Sequence, residues 1–231
     1  METPSQAPAP APASPPAPEL IAGMTMRQWI MLVLGVLLFG VITYKRLTQV
    51  PGERNRVPAA AIPERTVPDF RLLDTAGKTV TNADLRGRPA LYYFFFSTCP
   101  GICPILNKHA AQLRDALPAS NPLRIVGVSV NPETDTPEVL QSYGTRFNVD
   151  PQRWLMLTGD REAIFELSTK GFLLAAAESK PEDIPANGPV IHAPQMVLVD
   201  KEGKLVRYFD GLEEDVAQQV ITTMKVESLD N

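Results

Sequence analysis

The sequence predicts an α/β domain, a central sheet flanked by helices, behind a single N-terminal transmembrane helix. Three observations predict it. Strand-like and helix-like segments alternate from about residue 65 onward, the pattern of a sheet covered on both sides. Ala90–Phe96 is apolar throughout and Leu123–Val130 nearly so, as expected of strands buried on both faces. A separate apolar run, Trp29–Tyr44, stands apart from these segments and ends at Lys45 and Arg46.

Residues 1–27 open with seven prolines and five alanines in the first twenty positions. Such a stretch buries too little apolar surface to offset its ordering entropy, and it reads as a disordered tail. Residues 28–46 read as the anchor. The 16-residue apolar run spans roughly 24 Å at ~1.5 Å per residue, and snorkelling Lys45 and Arg46 extend it towards the ~30 Å of a hydrocarbon core. No small-x-small cleavage site follows it, so the anchor is expected to remain uncleaved. No Lys or Arg occurs in the first 26 residues, unlike a mitochondrial targeting peptide. Residues 47–64, with Pro51, Pro58 and Pro63, read as a linker.

The remaining domain, 65–231, begins with a hairpin from Asp69 to Val80 turning at Ala76-Gly77. After the Ala90–Phe96 strand, Cys103 to Leu117 has helical spacing and stops before Pro118. Leu123–Val130 is the next strand. Thr136 as N-cap and Pro137 at the first helical position open a helix reaching about Phe147. Trp154–Leu157 is a short strand, Arg161–Lys170 a helix stopped at Gly171. Gln195–Asp200 and Lys204–Tyr208 form a second hairpin, and a last helix covers about Glu213–Lys225.

The chain has 231 residues, 44% hydrophobic, with a formal net charge of −4. From residue 60 onward 17 basic residues face 23 acidic ones, a net of −6. This mild acidity argues against a nucleic-acid partner, which needs a clustered basic face. Two cysteines are too few for a disulfide scaffold or a four-cysteine metal site.

Those two cysteines are nevertheless placed for chemistry. Cys99-Pro-Gly-Ile-Cys103 follows a buried strand and enters a helix, whose N-terminal N–H groups and dipole favour thiolate over thiol. Four residues apart, both sulfurs lie on one face of a turn. The pair can close a reversible disulfide, or bind a soft cation such as copper. His192, just before the strand beginning at Gln195, is the candidate third ligand. His109 falls one and a half turns beyond Cys103 and reads as a surface or packing residue, and Met196 as core. Asp135 and Glu138 read as turn and helix-start residues.

These residues resemble the Sco/SenC family of thioredoxin-fold copper proteins for cytochrome c oxidase assembly. The carriers are Cys99-Pro-Gly-Ile-Cys-Pro104, Ser129-Val-Asn-Pro-Glu-Thr-Asp-Thr-Pro137, Trp154-Leu-Met-Leu-Thr-Gly159, and His192 eight residues before Asp200. The resemblance implies a thioredoxin-like domain in which Cys99, Cys103 and His192 hold one copper ion, Cu(I) or Cu(II). It implies as partners the copper-receiving subunit of cytochrome c oxidase and a thiol reductant or other copper chaperone. It also implies single-pass attachment to a bacterial inner membrane, with the domain in the periplasm. The charges flanking the anchor, Arg27 before and Lys45, Arg46, Arg54 and Arg56 after, count towards the opposite orientation. The need for cysteines that cycle outside the cytosol decides for the periplasm.

Gly101 and Ile191 stand where the family usually has aspartates, and Pro194 where it normally has no proline. A proline there resembles the cis-proline loop of thiol–disulfide oxidoreductases. A membrane-anchored thiol–disulfide oxidoreductase using Cys99 and Cys103 is therefore the alternative to a copper protein. A peroxiredoxin-like peroxidase is a third, echoed only by Ser97-Thr98-Cys99.

Overall fold

A computed structural model describes residues 25–48, 65–174, 176–178 and 190–230. The predicted tail and linker lie outside the described residues, apart from Thr25–Arg27 of the tail and Leu47–Thr48 of the linker. The chain divides into two units, Met1–Glu53 and Arg54–Asn231.

The first unit contains helix α1, Met26–Thr48. The N–H of Thr25 donates to Gln28 Oε1 at 2.8 Å and closes its first turn. From Trp29 to Val41 its large apolar side chains are exposed. Its side chains are described without a break only as far as Val41, and among the described residues no helix is long and apolar enough to cross a membrane.

The second unit is built on a five-stranded sheet. Its strands are β3 (Ala90–Phe95), β4 (Arg124–Ser129), β5 (Trp154–Leu157), β8 (Gln195–Val199) and β9 (Leu205–Asp210), in the order β5-β4-β3-β8-β9. β3, β4 and β5 run parallel; β8 pairs antiparallel with β3, and β9 antiparallel with β8. Every residue of β3 is buried, as its unbroken apolar run requires. Successive side chains alternate between faces. Tyr93 and Phe95 meet α3 (Ile102–Ala116) and α4 (Pro137–Thr145), whereas Tyr92 and Phe94 pack on Phe172 from the other side. The last helix, α6 (Val216–Val226), packs against α3. A central sheet in this order, with helices on both faces, is the thioredoxin-like arrangement expected.

Two local predictions hold for stated reasons. Thr136 caps α4, its Oγ1 accepting from the Val139 N–H at 3.4 Å, with Pro137 at the first position where no N–H is needed. The first hairpin forms as β1 (Arg71–Leu73) and β2 (Thr79–Thr81), with Gly77 at φ 73° in the turn.

Other elements differ from the sequence reading. A short helix α2, Asn82–Leu85, follows β2 and was not expected. Helix α5 (Arg161–Glu166) continues as a π-helical turn, Leu167–Gly171. Gly171 is its last residue, and a Cβ there would sit 2.9 Å from Pro68 Cδ. The final helix starts at Val216 rather than about Glu213. A two-stranded sheet, β6 (Ala176–Glu178) with β7 (Val190–His192), was also not expected; it places His192 at a strand end paired with Ala176, not in a loop. None of the described peptide bonds is cis, so the bond to Pro194 is trans and the cis-proline likeness does not hold.

Candidate metal and thiol site

The chain leaves β3 at Phe95 and turns through Ser97–Gly101 before entering α3. Gly101 is the N-cap, so Cys103 is the second helical residue, where backbone N–H groups lack partners within the helix. Cys99 is half-buried and Cys103 fully buried. The Cys99 N–H is turned back to the Phe96 carbonyl at 3.3 Å, and the Cys103 N–H points at Cys99 Sγ at 3.5 Å.

This geometry divides the two thiols. The Cys99 thiol is pulled down to about 6, first because the Cys103 thiol donates a hydrogen bond to it, against the opposing effect of burial. The N–H groups of Cys103, Gly101 and Ile102 add to the lowering. Cys103 is pushed far up by donating that hydrogen bond and by burial, with the charges of Cys99 and Asp135 adding to the rise. The pair therefore holds one proton near neutral pH, on Cys103. Cys99 is the more accessible nucleophile or ligand and Cys103 the reserve beside it.

Beneath the pair lies a buried polar network. Asn107 Nδ2 donates to the Cys103 carbonyl at 2.8 Å and to Tyr143 Oη at 3.2 Å. Its Oδ1 accepts from Tyr93 Oη at 2.7 Å, and Tyr93 Oη in turn accepts from Trp154 Nε1 at 3.1 Å. Burial pushes both phenols up, so they remain neutral, Tyr93 as a donor and Tyr143 as an acceptor. Gly127 makes room on β4, since a Cβ there would lie 2.7 Å from Tyr93 Oη.

Beside the elbow Asp135 is fully buried, and its carboxylate accepts from the backbone and hydroxyl of Ser97. Further along α3, His109 Nδ1 lies 2.8 Å from the Gly211 carbonyl, and the Gly211 N–H donates to the Pro194 carbonyl at 3.1 Å. A carbonyl only accepts, so His109 Nδ1 carries the proton. His109 is buried packing, as expected, and Met196 is core.

The structure thus brings Cys99 and Cys103 together. His192 is placed by backbone in β7, two residues before Pro194, and its side chain lies outside the described residues. Among the described residues, no three His, Cys, Asp or Glu side chains gather as metal ligands. Asp135 keeps the turn position expected of it. Its bonds to the elbow escaped the sequence reading because nothing in spacing links residues so far apart, whereas Asn107 reaches Cys103 through an i,i+4 contact within α3.

The fold and the site define a class: a thioredoxin-like α/β domain with a paired-cysteine elbow where a central strand enters a helix. The SCO1/SenC family model matches residues 58–226, and the chain belongs to that family. It is 30% identical over 161 residues to the SCO1 protein homolog of Bacillus subtilis, covering 69% of this chain and 81% of that protein. Among solved structures, it is similar to Bradyrhizobium japonicum ScoI with copper bound, at 26% identity and TM-score 0.57, covering 68% of this chain and 99% of that one. It is also similar to BsSco, a Sco-family cytochrome c oxidase assembly protein with a disulfide switch. That match has 30% identity and TM-score 0.59, over 71% of this chain and 96% of that one.

Proposed function

We propose that the chain is a membrane-anchored copper-binding protein that assists assembly of the copper site of cytochrome c oxidase, by copper delivery, by thiol reduction, or both. The carrying observation is the Cys99 thiolate held beside Cys103 on an accessible elbow. Two sulfurs suit a soft cation, and an imidazole from His192 would complete a three-donor set that adapts to Cu(I) and Cu(II). Copper is the cargo here. Its uptake must displace the proton on Cys103, so binding tightens as pH rises. A family fold shared with a copper-bound ScoI and with an oxidase assembly protein supports the reading.

The exposed apolar length of α1 supports a single-pass anchor in a bacterial inner membrane. The periplasm is the proposed side, because persistent thiol–disulfide chemistry belongs outside the cytosol. The copper-receiving oxidase subunit is the proposed acceptor, and a thiol reductant or another copper chaperone the proposed donor.

An anaerobic Cu(I) competition titration of the reduced full chain in detergent tests this, run beside His192→Ala. One tightly held copper, weakened at least tenfold in the variant, is the expected outcome. Wild-type affinity in the variant removes His192 from the site, and no tight copper in the wild type sinks the copper reading. The thiol–disulfide oxidoreductase then leads, favoured by the same observation, a half-buried low-lying thiolate with a resolving cysteine beside it.

A further inference from the structure

The turn after β4 grips the cysteine elbow through one buried carboxylate. Asp135 accepts the Ser97 N–H at 2.9 Å, the Ser97 hydroxyl, and the Ser129 hydroxyl at 2.5 Å. Three donors on one fully buried carboxylate are what burial of such a group requires. The grip is itself anchored. Ser129 Oγ accepts from the Asn131 N–H at 3.1 Å, and the Asp135 N–H donates to the Asn131 carbonyl at 3.0 Å. Glu133, in the same turn, forms a two-pronged ion pair with Arg161 at the start of α5, at 2.6 and 2.5 Å. Ser97 lies two residues before Cys99, whereas Cys103 is fixed independently by α3 and Asn107. The separation of the two sulfurs therefore depends on how firmly Ser97–Cys99 is held.

We propose that Asp135 is a positioning residue for the Cys99–Cys103 pair: by clasping Ser97 to Ser129 it holds the Cys99 sulfur within reach of Cys103. The proposal rests on the reading that the two cysteines act as a pair. A clasp of this kind raises the effective concentration of one thiol at the other, in the way that positioning accelerates any intramolecular reaction. The same fixed separation presents both sulfurs to a single metal ion.

The test is the equilibrium of the reduced, metal-free full chain with glutathione. The two thiols and one oxidised glutathione give the Cys99–Cys103 disulfide and two reduced glutathiones. Two electrons and two protons pass to glutathione, and the equilibrium constant reads the effective concentration directly. Asp135→Ala is expected to lower it at least tenfold, which corresponds to a rise of about 30 mV in the pair's reduction potential. Asp135→Asn keeps an oxygen for the Ser97 N–H and is expected to restore most of it, and Ser97→Ala is expected to fall between. Val220→Ala, in the buried face of α6, serves as a variant of lowered stability and should leave the constant unchanged.

Wild-type constants in Asp135→Ala and Ser97→Ala overturn the proposal. So does an equal fall in Val220→Ala, which would make the effect one of general stability. If Asp135→Ala does not fold, Ser97→Ala decides alone, because Asp135 keeps its bond to Ser129 there. A wild-type chain that closes no disulfide at any glutathione ratio refutes the paired reading itself. A wild type that closes one, with variants unchanged, refutes only the role of Asp135.

Discussion

At the scale of the residue, the two cysteines are unequal by construction. Cys99 receives a hydrogen bond from the Cys103 thiol and backbone N–H groups from the start of α3, so its charged form is favoured. Cys103, the donor, is buried and stays protonated. The sign of the pH dependence follows. Only thiolate attacks an alkylating reagent, so the Cys99 rate should be level above its midpoint and fall as pH drops through about 6. Iodoacetamide labelling of the reduced, metal-free chain across pH 4 to pH 9, with the modified cysteine located by peptide mass, measures this. Cys103→Ala should move the midpoint upward, because it removes the hydrogen bond that lowers the Cys99 thiol most. A midpoint near the ordinary thiol value, ~8.5, would mean that the elbow does not stabilise the thiolate.

Among the elements, α3 approaches the junction of β9 with the following turn closely. Gly211 has no room for a side chain: a Cβ would fall 2.4 Å from Leu106 Cδ2 and 2.4 Å from the Pro194 carbonyl. Gly211→Ala must push α3 or the Pro194 segment outward, and a loss of roughly 1–3 kcal/mol is expected for such overpacking. Urea unfolding followed by tryptophan fluorescence reads it, and a loss below about 0.5 kcal/mol would show that the contact relaxes freely. Legibility in the sequence followed the same division between local and distant. The β3 strand, the α3 helix and the cap of α4 were readable because apolar runs, helical spacing and Thr136-Pro137 act over a few residues. β6 and β7 were not, since Ala-Ala-Glu and Val-Ile-His carry only three residues each and pair across an interval of eleven. The cysteine pair was legible from its spacing, while Asp135 looked like any turn residue. Its burial is decided by Ser97, 38 positions earlier, and no periodicity reports that.

For the whole molecule, the exposed apolar side chains of α1 demand cover that water does not give. The expected outcome for the full chain expressed in a bacterium is retention in the membrane fraction after alkaline carbonate washing. Removing residues 1–48 should release the remainder into the wash. A reporter fused after Asn231 that is active only outside the cytosol would agree with the proposed placement. Activity confined to the cytosol would reverse it and make the charges at Lys45 and Arg46 the deciding signal.

The site also has a history built into its connectivity. Cys99 and Cys103 are near neighbours in the chain, but Asp135, which holds the elbow through Ser97, comes 32 positions after Cys103. Closing a ring of so few residues takes far less time than assembling contacts of that range. On the proposed periplasmic placement, the chain meets the choice between dithiol and disulfide while its fold is still incomplete. Its redox state at birth would then be set by its surroundings, and the finished fold would inherit that state. A supply of electrons after folding then becomes part of making the protein ready to take up metal.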